Sequence, residues 1–252
     1  MYTKVADKAL RTGEPVELGI VLGPDAEHAE QIKPFLAHKG GVWNWQVEKS
    51  LHEPLDLLET RYHVAKLGGQ IICNVMTVEY GRTGILGHVF TKPEQRRKGA
   101  CDLVMEVAMN HFRERGGGVL LLGTGFNSPP YWIYHSFGFR SVYEGAGFMR
   151  FATDEDFEAK YFAPGDVKVR DVLWHDWPRL SLLMSRKESD CLKLLGMGVR
   201  GQASYESGFL AMRKAMSEHP SAWRVKVVES EKGAVAGIAL VQPDSRWFGA
   251  VS

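Results

Sequence analysis

Cysteine is scarce, with three in 252 residues at positions 73, 101 and 191. The number is odd and no two are spaced as C-x-x-C, so neither a disulfide framework nor a zinc site is suggested. Cys73, Cys101 and Cys191 read as reduced, small apolar residues. An excess of one charge is also missing. The 31 basic and 30 acidic side chains leave a formal net charge of +1, without a long basic run, so the electrostatic footprint of a nucleic-acid binder is absent. Long hydrophobic runs are lacking too. Gly117 to Leu122 is far too short to cross a bilayer, and Met1-Tyr2-Thr3-Lys4 has no apolar signal region. The expectation is a cytoplasmic protein with no membrane or nucleic-acid partner. What is present is ordinary for a globular chain, 44% hydrophobic and 24% charged. Its length falls between one large domain and two ordinary ones.

Periodicity divides the chain into short elements. Val16 to Leu22 reads as a strand stopped by Gly23-Pro24, and Asp25 as the N-cap of a helix carrying Ala29, Ile32 and Phe35. A mixed segment with Trp43, Trp45 and His52 follows. Tyr62 to Leu67, Gln70 to Tyr80 and Ile85 to Thr91, separated by glycine-bearing turns, predict a three-stranded meander. Leu103, Val104, Val107, Ala108, His111 and Phe112 form a stripe at helical spacing closed by Gly116-Gly117-Gly118. Val119 to Leu122 reads as a strand buried on both faces, Pro129-Pro130 as the opening of a short helix, and Arg140 to Tyr143 and Phe148 to Ala152 as two more strands. A charged stretch, Thr153 to Lys160, leads to a linker at Ala163-Pro164-Gly165. The pattern then begins again, with a strand at Val167 to Val172, a helix at Asp176 to Arg186, and a mixed stretch from Leu192 to Met216. A second meander covers Trp223 to Glu229, Val235 to Gln242 and Trp247 to Ser252.

The run that points to chemistry is Thr91-Lys92-Pro93-Glu94-Gln95-Arg96-Arg97-Lys98-Gly99-Ala100-Cys101, between a strand and the long helix. A turn that becomes the first turn of a helix presents free backbone N–H groups and the positive end of the helix dipole. It is a ready anion site, and Gly99 lets a phosphate approach the backbone. Three basic side chains strengthen it. The bland alternative is a helix start with solvated charges.

This run resembles the GNAT acyltransferase superfamily, which carries Q/R-x-x-G-x-G/A between its fourth strand and third helix, often after V-x-P. Here Arg96-x-x-Gly99-x-Cys101 follows Thr91-Lys92-Pro93, with Thr91 in place of valine and Cys101 in place of Gly or Ala. A second block agrees, since the family's Asn, followed about seven residues later by L-Y-x-x-x-G-F, is matched by Asn127 and Ile133-Tyr134-His135-Ser136-Phe137-Gly138-Phe139. The resemblance runs from about Val16 to Ala152. It implies an α/β (α+β) GNAT fold, a mixed sheet of about seven strands flanked by helices. It further implies that backbone groups of Val89, Phe90 and Thr91 bind the pantetheine arm of acetyl-CoA like an added strand. Arg97, Lys98, Gly99, Ala100, Cys101 and Asp102 would wrap the pyrophosphate, with Arg96 and Lys98 supplying charge. Asn127 would hydrogen-bond the pantetheine or nearby backbone, and Tyr134 would protonate the departing thiolate.

The chemistry suits those residue types. Direct attack of an amine on a thioester needs a neutral nucleophile, an oxyanion donor and a proton for the thiolate. A phenol of ordinary pKa near 10 supplies that proton. No covalent intermediate is required, so the lack of a Ser-His-Asp or Cys-His arrangement is consistent. A structural Tyr134 packed with Tyr131, Trp132 and Phe137 is the alternative. The general base is not carried over, because the family's Glu five residues before the Asn falls on Leu122. Glu79 and His88 are the candidates. Trp43, Trp45 and His52 fall where the family builds its acceptor pocket, although tryptophans more often serve a core.

The domain reading is residues 1–160 as the acyl-CoA unit and residues 166–252 as a partial GNAT-like unit that ends before a pyrophosphate turn. Its open sheet edge needs cover from the first unit or from a second copy in a homodimer. The expected activity is N-acetyl transfer from acetyl-CoA to a small-molecule or peptide amine, without metal. The alternatives are a longer acyl group, or a catalytically silent acyl-CoA-binding module.

Overall fold

The strand expected at Val16 to Leu22 has a partner that periodicity did not reveal. In the computed structural model, which describes residues 1–186, 193–194, 199–200, 202–243 and 251, β1 (Tyr2–Ala9) pairs antiparallel with β2 (Pro15–Leu22). β1 is a sheet edge, exposed along most of its length, and Lys4, Asp7 and Lys8 suit that place. Helix α1 (Ala26–Leu36) opens as expected, with the Asp25 carboxylate accepting from the His28 N–H at 3.0 Å. Pro34 lies in its last turn without ending it earlier. After α2 (Gly41–His52), the meander is β3 (Glu59–Leu67), β4 (Gln70–Tyr80) and β5 (Thr83–Thr91).

Helix α3 (Ala100–Glu114) buries Val104, Met105, Ala108, Met109 and Phe112, and the chain turns away at Gly116, whose φ of +75° favours glycine. Next come β6 (Val119–Gly123), α4 (Pro129–Ser136), β7 (Arg140–Ser141) and β8 (Phe148–Ala152). The sheet runs β1-β2-β3-β4-β5-β6-β8-β7 and is antiparallel except at β5 and β6, which are parallel. It has eight strands where about seven were expected, and the addition is β1. The charged stretch before the linker is not free either. It contains α5 (Phe157–Tyr161), and Phe157 is buried so closely under Gly118 that a Cβ there would lie 2.4 Å from its ring.

Further along lie β9 (Val167–Asp171), α6 (Asp176–Ser185), a short hairpin of β10 (Lys193–Leu194) and β11 (Val199–Arg200), α7 (Glu206–Glu218), β12 (Arg224–Ser230) and β13 (Val235–Val241). Strands β9, β12 and β13 form a second antiparallel sheet in that order. Two helices separate its first two strands in sequence, as α1 and α2 separate β2 from β3. The expected strand at Trp247 to Ser252 lies outside the described residues except for Val251, which bridges Pro243.

The large sheet is covered on both faces. Leu120 and Leu122 of β6 pack with α3, whereas Val119 and Leu121 pack with Leu182 of α6. All ten residues of α6 are buried. Trp177, Leu180 and Leu183 share one core with Met76, Val78 and Ile85 of β4 and β5, so the early and late parts of the chain are not separate cores. Among the described residues, no helix is long and apolar enough to cross a membrane.

Candidate active site

The site begins where two strands part. β5 pairs with β6 only from Thr83 to Ile85. Beyond that point the strands diverge, and the far end of β5 keeps only β4 as a strand neighbour. The β4–β5 register slips between Asn74 and Met76, opposite His88, whose φ is +49°. The Asn74 amide donates to the His88 carbonyl at 3.0 Å and holds this kink. An unpaired row of backbone groups next to a divergence can accept an extended ligand as an added strand.

A cavity of about 580 Å³ opens at this end of β5, against the start of α3 and one side of α4. Val89, Phe90 and Thr91 line it from the strand, Arg96, Arg97, Gly99, Ala100, Cys101 and Asp102 from the turn and first helical residues, and Tyr134 from α4. The sequence expectation is thus gathered in one place for ten of its twelve residues. Gly99 is the N-cap of α3 with φ +90°, and no side chain caps the helix. The first N–H groups of α3 are therefore available to an anion.

Two expected residues are placed elsewhere. Lys98 does not line the cavity. Its ammonium reaches Gln95 Oε1 at 3.0 Å and Glu14 Oε2 at 3.3 Å, so it braces the turn against the β1–β2 hairpin. Asn127 does not line it either, because its Oδ1 accepts from the Trp132 indole N–H at 2.9 Å and ties the preceding loop to α4. In place of Lys98 the β1–β2 turn contributes Arg11, which sequence reasoning missed. The Arg11 N–H donates to the Lys98 carbonyl at 2.9 Å, and its guanidinium pairs with Asp102 at 2.6 Å. The same side chain lies 3.2 Å from where a Cβ on Gly99 would stand. No sequence signal marked it, since it sits in a polar turn far from the motif.

Within the cavity wall, Arg96 donates through Nε to the Thr91 carbonyl at 3.2 Å, and its guanidinium sits over the Phe90 ring. Thr91 Oγ1 donates to Cys73 Sγ at 3.2 Å. Contact with the Cys101 thiol, together with burial, raises the pKa of Cys73. Tyr134 is 8% exposed and packs edge-on to Phe139 at 6.2 Å. Burial raises its pKa above the ordinary 10.0, so the phenol keeps its proton at neutral pH. Among the described residues its hydroxyl has no recorded hydrogen-bond partner.

Neither candidate base is placed for the task. Glu79 lies at the far end of β4, opposite Gly84, where it accepts from Thr77 at 2.5 Å and pairs with Arg115 at 2.5 Å. His88 is at the kink, but burial pushes its pKa down to about 3, aided by the Lys39 and His38 charges. The tryptophans are packing residues. Trp43 meets His88 at 5.1 Å and Trp177 at 6.3 Å, while Trp45 meets Trp174 at 5.3 Å, so both seal α2 against the later helices. His52 bonds the Glu48 carbonyl at the surface.

A comparison with protein-family models and with curated proteins returns no match. Among solved structures, the chain is similar to the GNAT domain of S. lividans PAT, at 16% identity and a TM-score of 0.45, over 58% of this chain and 96% of that one. It is similar to an acetyltransferase of the GNAT family from Staphylococcus aureus Mu50, at 14% identity and a TM-score of 0.44, over 54% of this chain and 99% of that one. A third is PaiA N-acetyltransferase from Thermoplasma acidophilum in complex with coenzyme A, at 16% identity and a TM-score of 0.40, over 53% and 98%. The large mixed sheet flanked by helices, with a glycine turn between a strand and the start of α3, is the architecture that the sequence resemblance implies.

Proposed function

We propose that this protein transfers an acetyl group from acetyl-CoA to an amine, with Tyr134 as the general acid. The observation that carries the reading is convergence. The open edge of β5, the uncapped start of α3 and the buried Tyr134 phenol meet on one cavity of about 580 Å³. The donor set fits coenzyme A. Helix N–H groups with Arg11, Arg96 and Arg97 suit a pyrophosphate, and the backbone of Val89 to Thr91 suits the amide-bearing pantetheine arm. When bound, the thioester supplies the activated acyl group. The protein's part is to align the arm along β5, keep water from the buried end and hold a proton on Tyr134 for the leaving sulfur. In this reading residues 1–160 form the acyl-CoA unit and residues 166–252 a partial repeat, supported by the recurring order of strand, two helices and two strands.

The test is thiol release from acetyl-CoA against spermidine, an aminoglycoside and a peptide with a free α-amino group. Tyr134→Phe is expected to lower kcat by about 100-fold, within the range of a lost general acid, while acetyl-CoA binding persists. Tight acetyl-CoA binding with no turnover of any amine would instead identify a silent acyl-CoA module. The placement of Glu79 and His88 keeps that second reading in view, since neither supplies a base.

A further inference from the structure

The parting of β5 and β6 has two sides, and the second is built by the later part of the chain. α6 packs across β4, β5 and β6, on the face opposite α3, and α7 packs against α2. A run of rings crosses this face from the kink outward. His88 meets Trp43 at 5.1 Å, Trp43 meets Trp177 at 6.3 Å, and Trp177 stacks on Phe209 of α7 at 6.0 Å. His88 Nε2 and Trp177 Nε1 are buried there without hydrogen-bond partners. Buried polar atoms of this kind need an account.

Glu206, half-buried, stands one helical turn before the fully buried Phe209, on the same side of α7. Its Oε1 is 3.7 Å from where a Cβ on Gly123 would be, at the end of β6 where that strand has left β5. Among the described residues it forms no ion pair, and its recorded hydrogen bond is a long one, from Ser204 Oγ at 3.4 Å. Asp102, the carboxylate on the opposite side, is already held by Arg11.

We infer that Glu206, contributed by the later part of the chain, is the general base that deprotonates the acceptor. The inference rests on the acetyltransfer reading. The acceptor arrives as an ammonium ion on the α6–α7 side, and Glu206 takes one proton, which passes to solvent. The neutral nitrogen then forms its bond to the acyl carbon as the C–S bond breaks. The departing sulfur takes the Tyr134 proton, and the second proton lost from nitrogen restores the phenol. One amide, one thiol and one free proton result. Burial supports the assignment, because it pushes the Glu206 pKa up to about 7, where a carboxylate accepts a proton best at neutral pH. The Glu206 charge contributes to the raised pKa of the Tyr134 phenol on α4, after burial and the Cys101 charge. The position of Gly123 explains the missing base at Leu122. Leu122 points to the α3 side, whereas the space over Gly123 is filled from α7.

The experiment uses the full chain, with spermidine, kanamycin and an alanyl tripeptide as acceptors. Glu206→Gln is expected to lower kcat/KM by about 100-fold, to leave the affinity for acetyl-CoA unchanged, and to abolish the acid limb of the pH profile near pH 7. The deficit should shrink at a pH where the acceptor is already neutral, and Glu206→Asp should recover part of the rate. Unchanged kcat/KM with the same acid limb would overturn the inference, as would an equal loss at every pH. The two claims fail differently. A wild-type chain that binds acetyl-CoA but turns over none of the three acceptors sinks the acetyltransfer reading and this inference with it. Wild-type turnover that depends on Tyr134 and not on Glu206 sinks the inference alone.

Discussion

Gly99 meets two demands that no other residue meets together. Its φ of +90° is a region that L side chains rarely adopt, and a Cβ would press on Arg11 at 3.2 Å. Gly99→Glu adds a negative charge where the first N–H groups of α3 and the guanidinium of Arg11 would receive a phosphate. It is expected to weaken coenzyme A binding by at least about 100-fold in a calorimetric titration, since charge-assisted hydrogen bonds contribute about 1.5–3 kcal/mol each. Wild-type affinity in that variant would refute the placement of the pyrophosphate. Gly99 and Tyr134 were legible in the sequence because each stands within a spaced motif whose neighbours are adjacent in the chain. Arg11 was not, since it reaches the turn only through a backbone bond to Lys98 and an ion pair with Asp102. Lys98 and Asn127 show the converse. Their motif positions were readable, but local partners, Gln95 with Glu14 and Trp132, draw both side chains from the cavity.

Helix α6 is amphipathic by sequence, yet it is buried all round because it lies between two sheets. Its charged residues must therefore be neutralised inside. Arg179, fully buried, reaches Asp176 at 2.5 Å and Glu229 at 2.6 Å, and Arg170 bonds the same two carboxylates. Arg179→Ala would leave the two acids to Arg170 and Lys168 and empty the buried space of the guanidinium, and is expected to destabilise the fold by about 3 kcal/mol in urea unfolding. The Arg170 hydrogen bond, followed by those from Arg179 and Lys168, holds the Glu229 pKa far below its ordinary 4.5. A carboxylate depressed in the folded state stabilises above its unfolded pKa, and that contribution disappears as pH falls through the folded value. Wild-type stability should therefore decline below about pH 4.5, and Arg179→Ala should show a shallower decline. Equal acid slopes would exclude the network as the cause. At the element level, strands β3 to β6 and helix α3 were readable from their periods. β1 was not, because an edge strand that buries little carries no apolar alternation, and α5 was hidden because Phe157 is the single fully buried residue of a five-residue helix.

At the scale of the molecule, the large sheet and the sheet of β9, β12 and β13 are joined through one core, in which Trp174, Trp177 and Leu183 pack with Val78, Ile85 and Leu51. Residues 1–165 alone would expose the face that α6 covers, a large apolar patch that favours aggregation. That fragment is expected to be insoluble, or to unfold well below the full chain and lack turnover, as size-exclusion chromatography and thermal melting would report. A monomeric fragment with full activity would show that the later part of the chain does not build the site. From residue order alone came most of the strands and helices, the candidate anion-binding turn and the proposed proton donor, because these follow from hydrophobic period, glycine conformation and motif spacing within short stretches. The proposed general base, the added arginine and the covering of the sheet depend on residues far apart in the chain. Glu206 reaches Gly123, Arg11 reaches Gly99 and α6 reaches β5 only through packing. Local periodicity records which face of an element is apolar, and the partner that buries it is chosen by the fold as a whole.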